Sequence, residues 1–244
     1  MAQGICQFIL RIHKRYIVKI AFLISGMYRE FDFVVKMLES QNLMKYDFYM
    51  STWDSSKQKY SNSDSYKEFE VIPNMIKDYI PNCIYEILNE SEIFPNEVKN
   101  SNKMIFHWKN CFKLMVNSGK KYDLICLIRT DLSFKVLSKG HHTTQYLDDI
   151  DDWNFDRNTL YCNQLLQIRK SNNSQNDLDY LSDDLFFCGS RKIIGRFING
   201  LPDPFTEYEW IPHITLGNYL FNSNLITSEI IPFHHCHIIR PTLN

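Results

Sequence analysis

Ile20-Ala21-Phe22-Leu23-Ile24 runs without a polar interruption into Ser25-Gly26. Such a run reads as a strand buried on both faces of a parallel sheet and closed by a turn residue. From Tyr28 the period changes, with Phe31, Val34, Val35 and Leu38 recurring at helical spacing to about Leu43. Strand, glycine turn and helix are the opening of an α/β unit. Tyr46 to Ser51 predicts a second strand with Thr52-Trp53-Asp54 at its carboxyl end. Ser55 to Tyr66 is rich in Ser, Lys, Asn and Tyr without a period and reads as an exposed loop. Ile72 to Tyr79 predicts a short helix with Pro73 in its first turn, and Cys83 to Leu88 a third strand. Ser101 is placed to cap a helix that runs to Asn117 and stops at Gly119. Tyr122 to Ile128 is the clearest strand, and it leads into Arg129-Thr130-Asp131.

The second half is less regular. Thr159 to Cys162 and Leu185 to Cys188 predict short strands, and Ser190 to Asn199 a helix. Thr206 and Glu209 have capping-box spacing for a helix continuing to about Phe221. Asp148 to Asp152 and Ser171 to Asn176 read as polar loops. With no internal repeat and no linker, residues 1–244 are expected to form one α/β domain. Its sheet should be central and mostly parallel, flanked by helices.

Composition narrows the function classes. At 244 residues, 44% hydrophobic and 23% charged, the chain matches an ordinary globular domain rather than a disordered or fibrous one. The balance of 27 Lys and Arg against 28 Asp and Glu argues against a dedicated nucleic-acid binder. No apolar stretch approaches the ~20 residues of a bilayer span. Met1 to Val18 mixes Ile and Leu with Arg11, Lys14 and Arg15 and lacks a signal-peptide core, so a cytoplasmic location is expected. The cysteines at 6, 83, 111, 126, 162, 188 and 236 never share a metal-knuckle spacing and are expected to be free, buried thiols. The glycines show neither a dinucleotide fingerprint nor a Walker loop, so a nucleotide must be held by another loop.

In open α/β sheets ligands bind outside the carboxyl ends of the strands. Candidate polar groups there are Ser25 and Gly26 with Arg29 beyond, Asp54, Arg129 with Asp131, and the pair Asp183 and Asp184 before a predicted strand. Taken alone, Arg29 also reads as a solvated helix charge, and Asp54 as a turn cap. Asp131 ends the most apolar strand, where a carboxylate is either solvated or used. The literal Asp-x-Asp strings at Asp149 to Asp151 and Asp177 to Asp179 follow no buried strand and read as solvated loop acids. His234-His235-Cys236-His237 reads as a C-terminal strand, on which at most two ligands would share a face.

Four strings occur in order: Ile24-Ser25-Gly26-Met27-Tyr28-Arg29, Phe48 through Asp54, Tyr122-Asp123 through Phe134, and Ser182-Asp183-Asp184 through Ser190. Together they make roughly residues 19 to 220 resemble small polysaccharide-biosynthesis glycosyltransferases of bacteria and large DNA viruses. The resemblance implies a GT-A-like, Rossmann-like fold, a nucleotide-sugar donor (UDP- or GDP-sugar) and a glycan acceptor. It implies a donor-binding half at 19–134 and an acceptor-side half at 135–244. It assigns Gly26 and Arg29 to the nucleotide, Asp131 to the diphosphate or its Mn²⁺ or Mg²⁺, and Asp183 or Asp184 to catalysis on the acceptor side. Ser25, Asp54 and Arg129, at the same strand ends, complete the expected donor-binding set.

One departure matters. A usual GT-A enzyme ends its central strand with Asp-x-Asp holding a divalent cation, whereas this strand ends Arg129-Thr130-Asp131. A guanidinium can neutralise a diphosphate as a bidentate fork, so dependence on a divalent cation stays open at this point. The rival readings are a non-catalytic nucleotide- or carbohydrate-binding domain of the same fold and a structural protein.

Overall fold

The computed structural model describes residues 18–29, 31–59, 62–136, 150, 153–162, 165–169, 178–182, 186–206, 212–228 and 233–238. In chain order the elements are β1 (Ile20–Ser25), α1 (Phe31–Ser40), β2 (Asp47–Trp53), β3 (Ser55–Lys59), β4 (Tyr66–Glu70), α2 (Asn74–Lys77), β5 (Ile84–Leu88), α3 (Glu90–Ile93) and α4 (Asn100–Asn117). They continue with β6 (Leu124–Arg129), β7 (Leu132–Val136), β8 (Thr159–Cys162), β9 (Leu165–Arg169), β10 (Leu178–Ser182), β11 (Phe186–Gly189), α5 (Arg191–Gly200), α6 (Pro212–Asn222), β12 (Ile226–Ser228) and β13 (Phe233–Ile238).

Seven strands build the central sheet in the order β12-β8-β11-β6-β1-β2-β5. The pairs β1–β2, β1–β6, β2–β5 and β8–β12 are parallel. Only β11 runs antiparallel, against both β6 and β8. This is the expected α/β, Rossmann-like architecture. From β1 the chain builds outward through β2 to β5, then returns to place β6 on the other side of β1. The strand order therefore reverses between β1 and β6, and at such a switch point the loops part to leave a crevice.

The alternation along β1 sorts two cores. Ile20, Phe22 and Ile24 face α1, joining Phe31, Val34, Val35 and Leu38 in one apolar cluster. Ala21 and Leu23 face the other way, toward Trp108, Cys111 and Met115 of α4 and Ile194 and Phe197 of α5. All are 2% exposed or less, and burying a side chain of this size contributes ~1.5–3 kcal/mol. The rigid sheet so formed fixes where its strand ends lie.

Several expectations need correction. Residues 55–66 are not a plain loop: β3 and β4 pair antiparallel over five positions, Ser55↔Glu70 to Lys59↔Tyr66. The hairpin forms a sheet of its own, with Ser56 buried, Phe69 packed against the α1-side core, and Lys57 and Glu68 paired at 2.8 Å in solvent, so Ser55 to Tyr66 lacks the apolar run that marks a strand of the core. Helix α4 starts at Asn100 after Lys99, and Ser101 is buried in its first turn instead of capping it. Ser190 does cap α5, accepting from the Ile193 N–H. Asp149, Asp151, Asp177, Asp183, Asp184, Glu209 and the loop Ser171 to Asn176 lie outside the described residues.

Among the described residues, Cys83, Cys111, Cys126, Cys162 and Cys188 are buried and free of disulfides. No described helix is long and apolar enough to cross a membrane.

Candidate active site

The loop after β1 is pinned before it reaches Arg29. Gly26 turns it with φ of 107°, a conformation in which a Cβ is strained although nothing lies within 4 Å of that position. Its N–H donates to the Ser51 carbonyl at 3.1 Å. The Thr130 hydroxyl donates to the Met27 carbonyl, and the Ser56 hydroxyl to the Tyr28 carbonyl. Tyr28 in turn donates its hydroxyl to the Met75 carbonyl at 2.9 Å.

Register then brings the charges together. Ser25 pairs with Arg129 at the ends of β1 and β6, so the residues just beyond each strand meet across the switch point. Arg129 donates from Nε to Asp131 Oδ1 at 2.9 Å and from Nη2 to Oδ2 at 3.0 Å. Arg29 donates from Nη1 to Oδ2 of the same carboxylate at 3.0 Å. Asp131 is 1% exposed. Burial pushes its carboxyl up, but the hydrogen bonds and charge of Arg129, reinforced by Arg29, outweigh burial and hold it below the usual carboxylate range. Arg29 is only partly spent on Asp131: its Nη2 approaches Met27 Sδ at 3.7 Å, and its Nε is buried without a partner.

Beside this clamp lies a cavity of about 170 Å³, walled by the ends of β1, β2 and β6 and by the first half of α4. His107 of α4 lines it, 1% exposed. Its Nδ1 lies 2.7 Å from Ser51 Oγ, which accepts from Asn110 Nδ2 at 3.0 Å. The same Asn110 nitrogen donates to Glu86 Oε2 at 2.7 Å. Burial pushes the His107 pKa down to about 3, so the ring is neutral at physiological pH. Ser25 Oγ, Arg29 Nε and His107 Nε2 are buried polar atoms with no partner, and all three residues line this cavity. Thr52 Oγ1 of β2 is likewise unpartnered, and because buried polar groups are almost always paired, three such residues around one cavity make it a candidate binding site.

A wider recess of about 800 Å³ adjoins it, sharing Met27, Arg29, Asn100 and Lys103. Asp54 lines this second space and accepts from Asn89 Nδ2 at 2.7 Å. Lys103 at the shared rim pairs with Glu90 at 2.6 Å.

Of the residues expected from the sequence, Ser25, Gly26, Arg29, Arg129 and Asp131 gather at the first cavity and Asp54 at the recess. Asp183 and Asp184 fall outside the described residues, but Phe186 pairs with Ile128, so β11 begins at the edge where Arg129 leaves β6. Had β11 been parallel, its start would lie at the opposite edge of the sheet. Sequence reasoning missed His107, Thr130, Asn100 and Lys103. A signal existed on α4: Asn100, Lys103, Met104 and His107 recur at helical spacing, placing polar groups on a stripe that also carries buried Trp108 and Cys111.

The donor set at Asp131 does not fit a resident divalent cation. Both carboxylate oxygens already accept from guanidinium groups, and among the described residues no three His, Cys, Asp or Glu side chains converge. A cation there would displace these bonds and face two fixed positive charges. Like unit charges about 4 Å apart repel by ~4 kcal/mol at an effective dielectric of ~20.

No protein-family model matches the chain, and no curated protein matches it. Among solved structures it is similar to the nucleoside-diphosphate-sugar pyrophosphorylase from Vibrio cholerae RC9, with a TM-score of 0.39 and 10% identity over 85% of this chain and 89% of that one. A likeness so slight carries no argument about chemistry, which is built from the site itself.

Proposed function

We propose that the chain is a glycosyltransferase that moves a sugar from a nucleoside-diphosphate donor, UDP- or GDP-linked, to a glycan acceptor. The observation that carries this reading is the Arg29–Asp131–Arg129 clamp at the switch point of a mostly parallel sheet. In the transfer the acceptor hydroxyl attacks the anomeric carbon. The bond from that carbon to the diphosphate oxygen breaks, and its electron pair leaves with the nucleoside diphosphate. Charge develops on the leaving oxygens, and preorganised donors aimed at it lower the barrier. Arg29 and Arg129 supply these donors, and Asp131 positions both. Gly26, without a Cβ, lets the phosphates approach the β1 loop, while Ser25 and Asp54 contact the rest of the donor.

The acceptor's proton needs a base, and Asp183 or Asp184 is proposed for it. Residues 19–134 then form the donor-binding half and 135–244 the acceptor side. No step is routed through a metal ion.

The test is donor turnover. The purified chain, incubated with UDP- and GDP-sugars, should release nucleoside diphosphate slowly without acceptor and faster with glycan, and Arg29→Ala should slow the release at sub-saturating donor. Tight donor binding without release or transfer would instead favour a non-catalytic binding domain. Failure to bind any nucleoside diphosphate would overturn the reading.

A further inference from the structure

We infer that the cavity beside the clamp takes the base of the donor nucleotide, with the His107 Nε2–H donating to an in-plane acceptor atom on that base. The inference rests on the nucleotide-sugar reading and names the part of the ligand that the inner cavity holds.

The tautomer of His107 follows from its neighbours. Asn110 Nδ2 also donates to the Glu86 carboxylate, which accepts only, so this nitrogen is correctly the donor toward Ser51 Oγ. With that acceptance made, the Ser51 hydroxyl proton has one acceptor within reach, His107 Nδ1 at 2.7 Å. Nδ1 therefore carries the lone pair and Nε2 the proton. The relay Glu86, Asn110, Ser51, His107 thus ends as a neutral N–H donor, buried without a hydrogen-bond partner, on a residue that lines the cavity and whose ring stands 4.1 Å from that of Trp53, centroid to centroid. Such a donor is costly to leave unmade, and an acceptor atom on a ligand relieves the cost.

The kind of acceptor follows from the rest of the wall. Met27, Met104, Trp53 and Trp108 make much of the lining apolar. A sugar placed here would bury several hydroxyl protons, each needing an acceptor, while the strongest acceptor present, Asp131, already accepts three bonds from two arginines. A planar base has apolar faces, and its acceptors lie in the ring plane, which suits apolar walls with one fixed donor. A phosphate would gain more from the cationic Arg29 and Arg129, which also line the cavity, than from a neutral imidazole. The base of a nucleoside diphosphate lies beyond the ribose from its phosphates, and the cavity runs from the clamp residues Arg29, Arg129 and Asp131 to Trp53, His107 and Trp108.

The experiment compares ligands with and without a base. Binding of UDP, GDP and inorganic pyrophosphate is measured by calorimetry on the parent, His107→Phe and His107→Gln chains. Loss of one buried hydrogen bond should weaken UDP or GDP binding by about tenfold in His107→Phe. His107→Gln, which keeps an amide donor, should lose less. Pyrophosphate affinity should be the same in all three chains. In parallel, the ¹⁵N resonances of His107 in the parent chain should show an Nε2-protonated neutral ring whose Nε2 signal moves on adding UDP or GDP and stays in place with pyrophosphate. Equal loss of both ligand classes in His107→Phe, or an Nε2 signal that ignores the nucleotide, overturns the base assignment while leaving the donor reading intact. If the parent binds pyrophosphate but neither nucleotide, both are overturned together.

Discussion

Arg129 grips Asp131 side-on, Nε on Oδ1 at 2.9 Å and Nη2 on Oδ2 at 3.0 Å, although only Thr130 separates them in the chain. Thr130 sends its hydroxyl the other way, to the Met27 carbonyl, so one tripeptide both builds the charge clamp and anchors the β1 loop. The arrangement gives Asp131 a different duty from that of a metal-binding carboxylate. Buried at 1% exposure, it holds two guanidinium groups whose residues line the cavity.

Asp131→Asn tests that duty. A carboxamide offers one acceptor oxygen, and its NH₂ group faces an arginine donor. Removing one partner of a buried ion pair costs ~3 kcal/mol or more. The variant should therefore unfold at lower urea and also lose donor binding. An unchanged unfolding midpoint would show that the carboxylate is not needed to hold the arginines.

The two arginines should respond differently to lysine. Arg129 forms a bidentate fork that an ammonium cannot reproduce, whereas Arg29 gives Asp131 a single bond from Nη1. Arg129→Lys should lower stability more than Arg29→Lys in matched urea titrations. Arg29→Ala, which removes the fork with an unpartnered Nε, should mainly weaken nucleoside-diphosphate binding, by about tenfold or more. The opposite ranking in both measurements would exchange their roles.

The part of the site legible in the sequence lies on single strand ends. Ser25, Arg29, Arg129 and Asp131 follow runs buried on both faces, and such runs declare themselves by continuous apolar residues. His107 was hidden because its meaning depends on Ser51, 56 residues earlier and on another element. A histidine inside an amphipathic helix looks the same in sequence whether it meets solvent, core or cavity. The antiparallel course of β11 was equally hidden, since four apolar residues carry no sign of direction. The β3–β4 hairpin escaped because it turns only a few residues inward, Ser56 and Phe69 among them, and its other positions carry exposed charges such as Lys57 and Glu68.

The neutral state of His107 makes stability depend on pH. Its pKa falls from an ordinary value of 6.5 to about 3 in the folded chain, because burial disfavours the charged ring. Below 6.5 the unfolded chain takes up a proton that the folded chain refuses, so the contribution is complete above that pH and is lost as pH falls toward about 3. The loss amounts to ~1.4 kcal/mol per pH unit within the window. Asp131 also has its pKa lowered, so its contribution is lost only as pH falls below the ordinary 3.8. Urea midpoints at neutral pH and about one unit below the unfolded histidine's pKa should therefore differ in the parent, and differ much less in His107→Gln. An equal drop in both chains would assign the dependence to other groups.

The last expectation concerns divalent metal, where the family resemblance and the geometry point in different directions. Glycosyltransferases with an Asp-x-Asp strand end use carboxylates to hold a cation against the diphosphate. Here the first position of that triplet is Arg129, and the carboxylate at the third already accepts three bonds from Arg129 and Arg29. Two guanidinium groups already place positive charge where the diphosphate would lie, and an added dication would meet their repulsion in a poorly screened cavity. Any Mg²⁺ or Mn²⁺ that takes part must therefore arrive on the nucleotide, drawing most of its ligands from phosphate oxygens and water. Calorimetric titration of UDP or GDP in EDTA and again in excess Mn²⁺ separates the cases. Affinity within about threefold between the two conditions, well under the tenfold that 1.4 kcal/mol represents, would leave the arginines as the neutralising groups. Tight Mn²⁺ binding to the chain without nucleotide would mean that the clamp opens to admit a metal, and Asp131 would then recover the role the resemblance gave it.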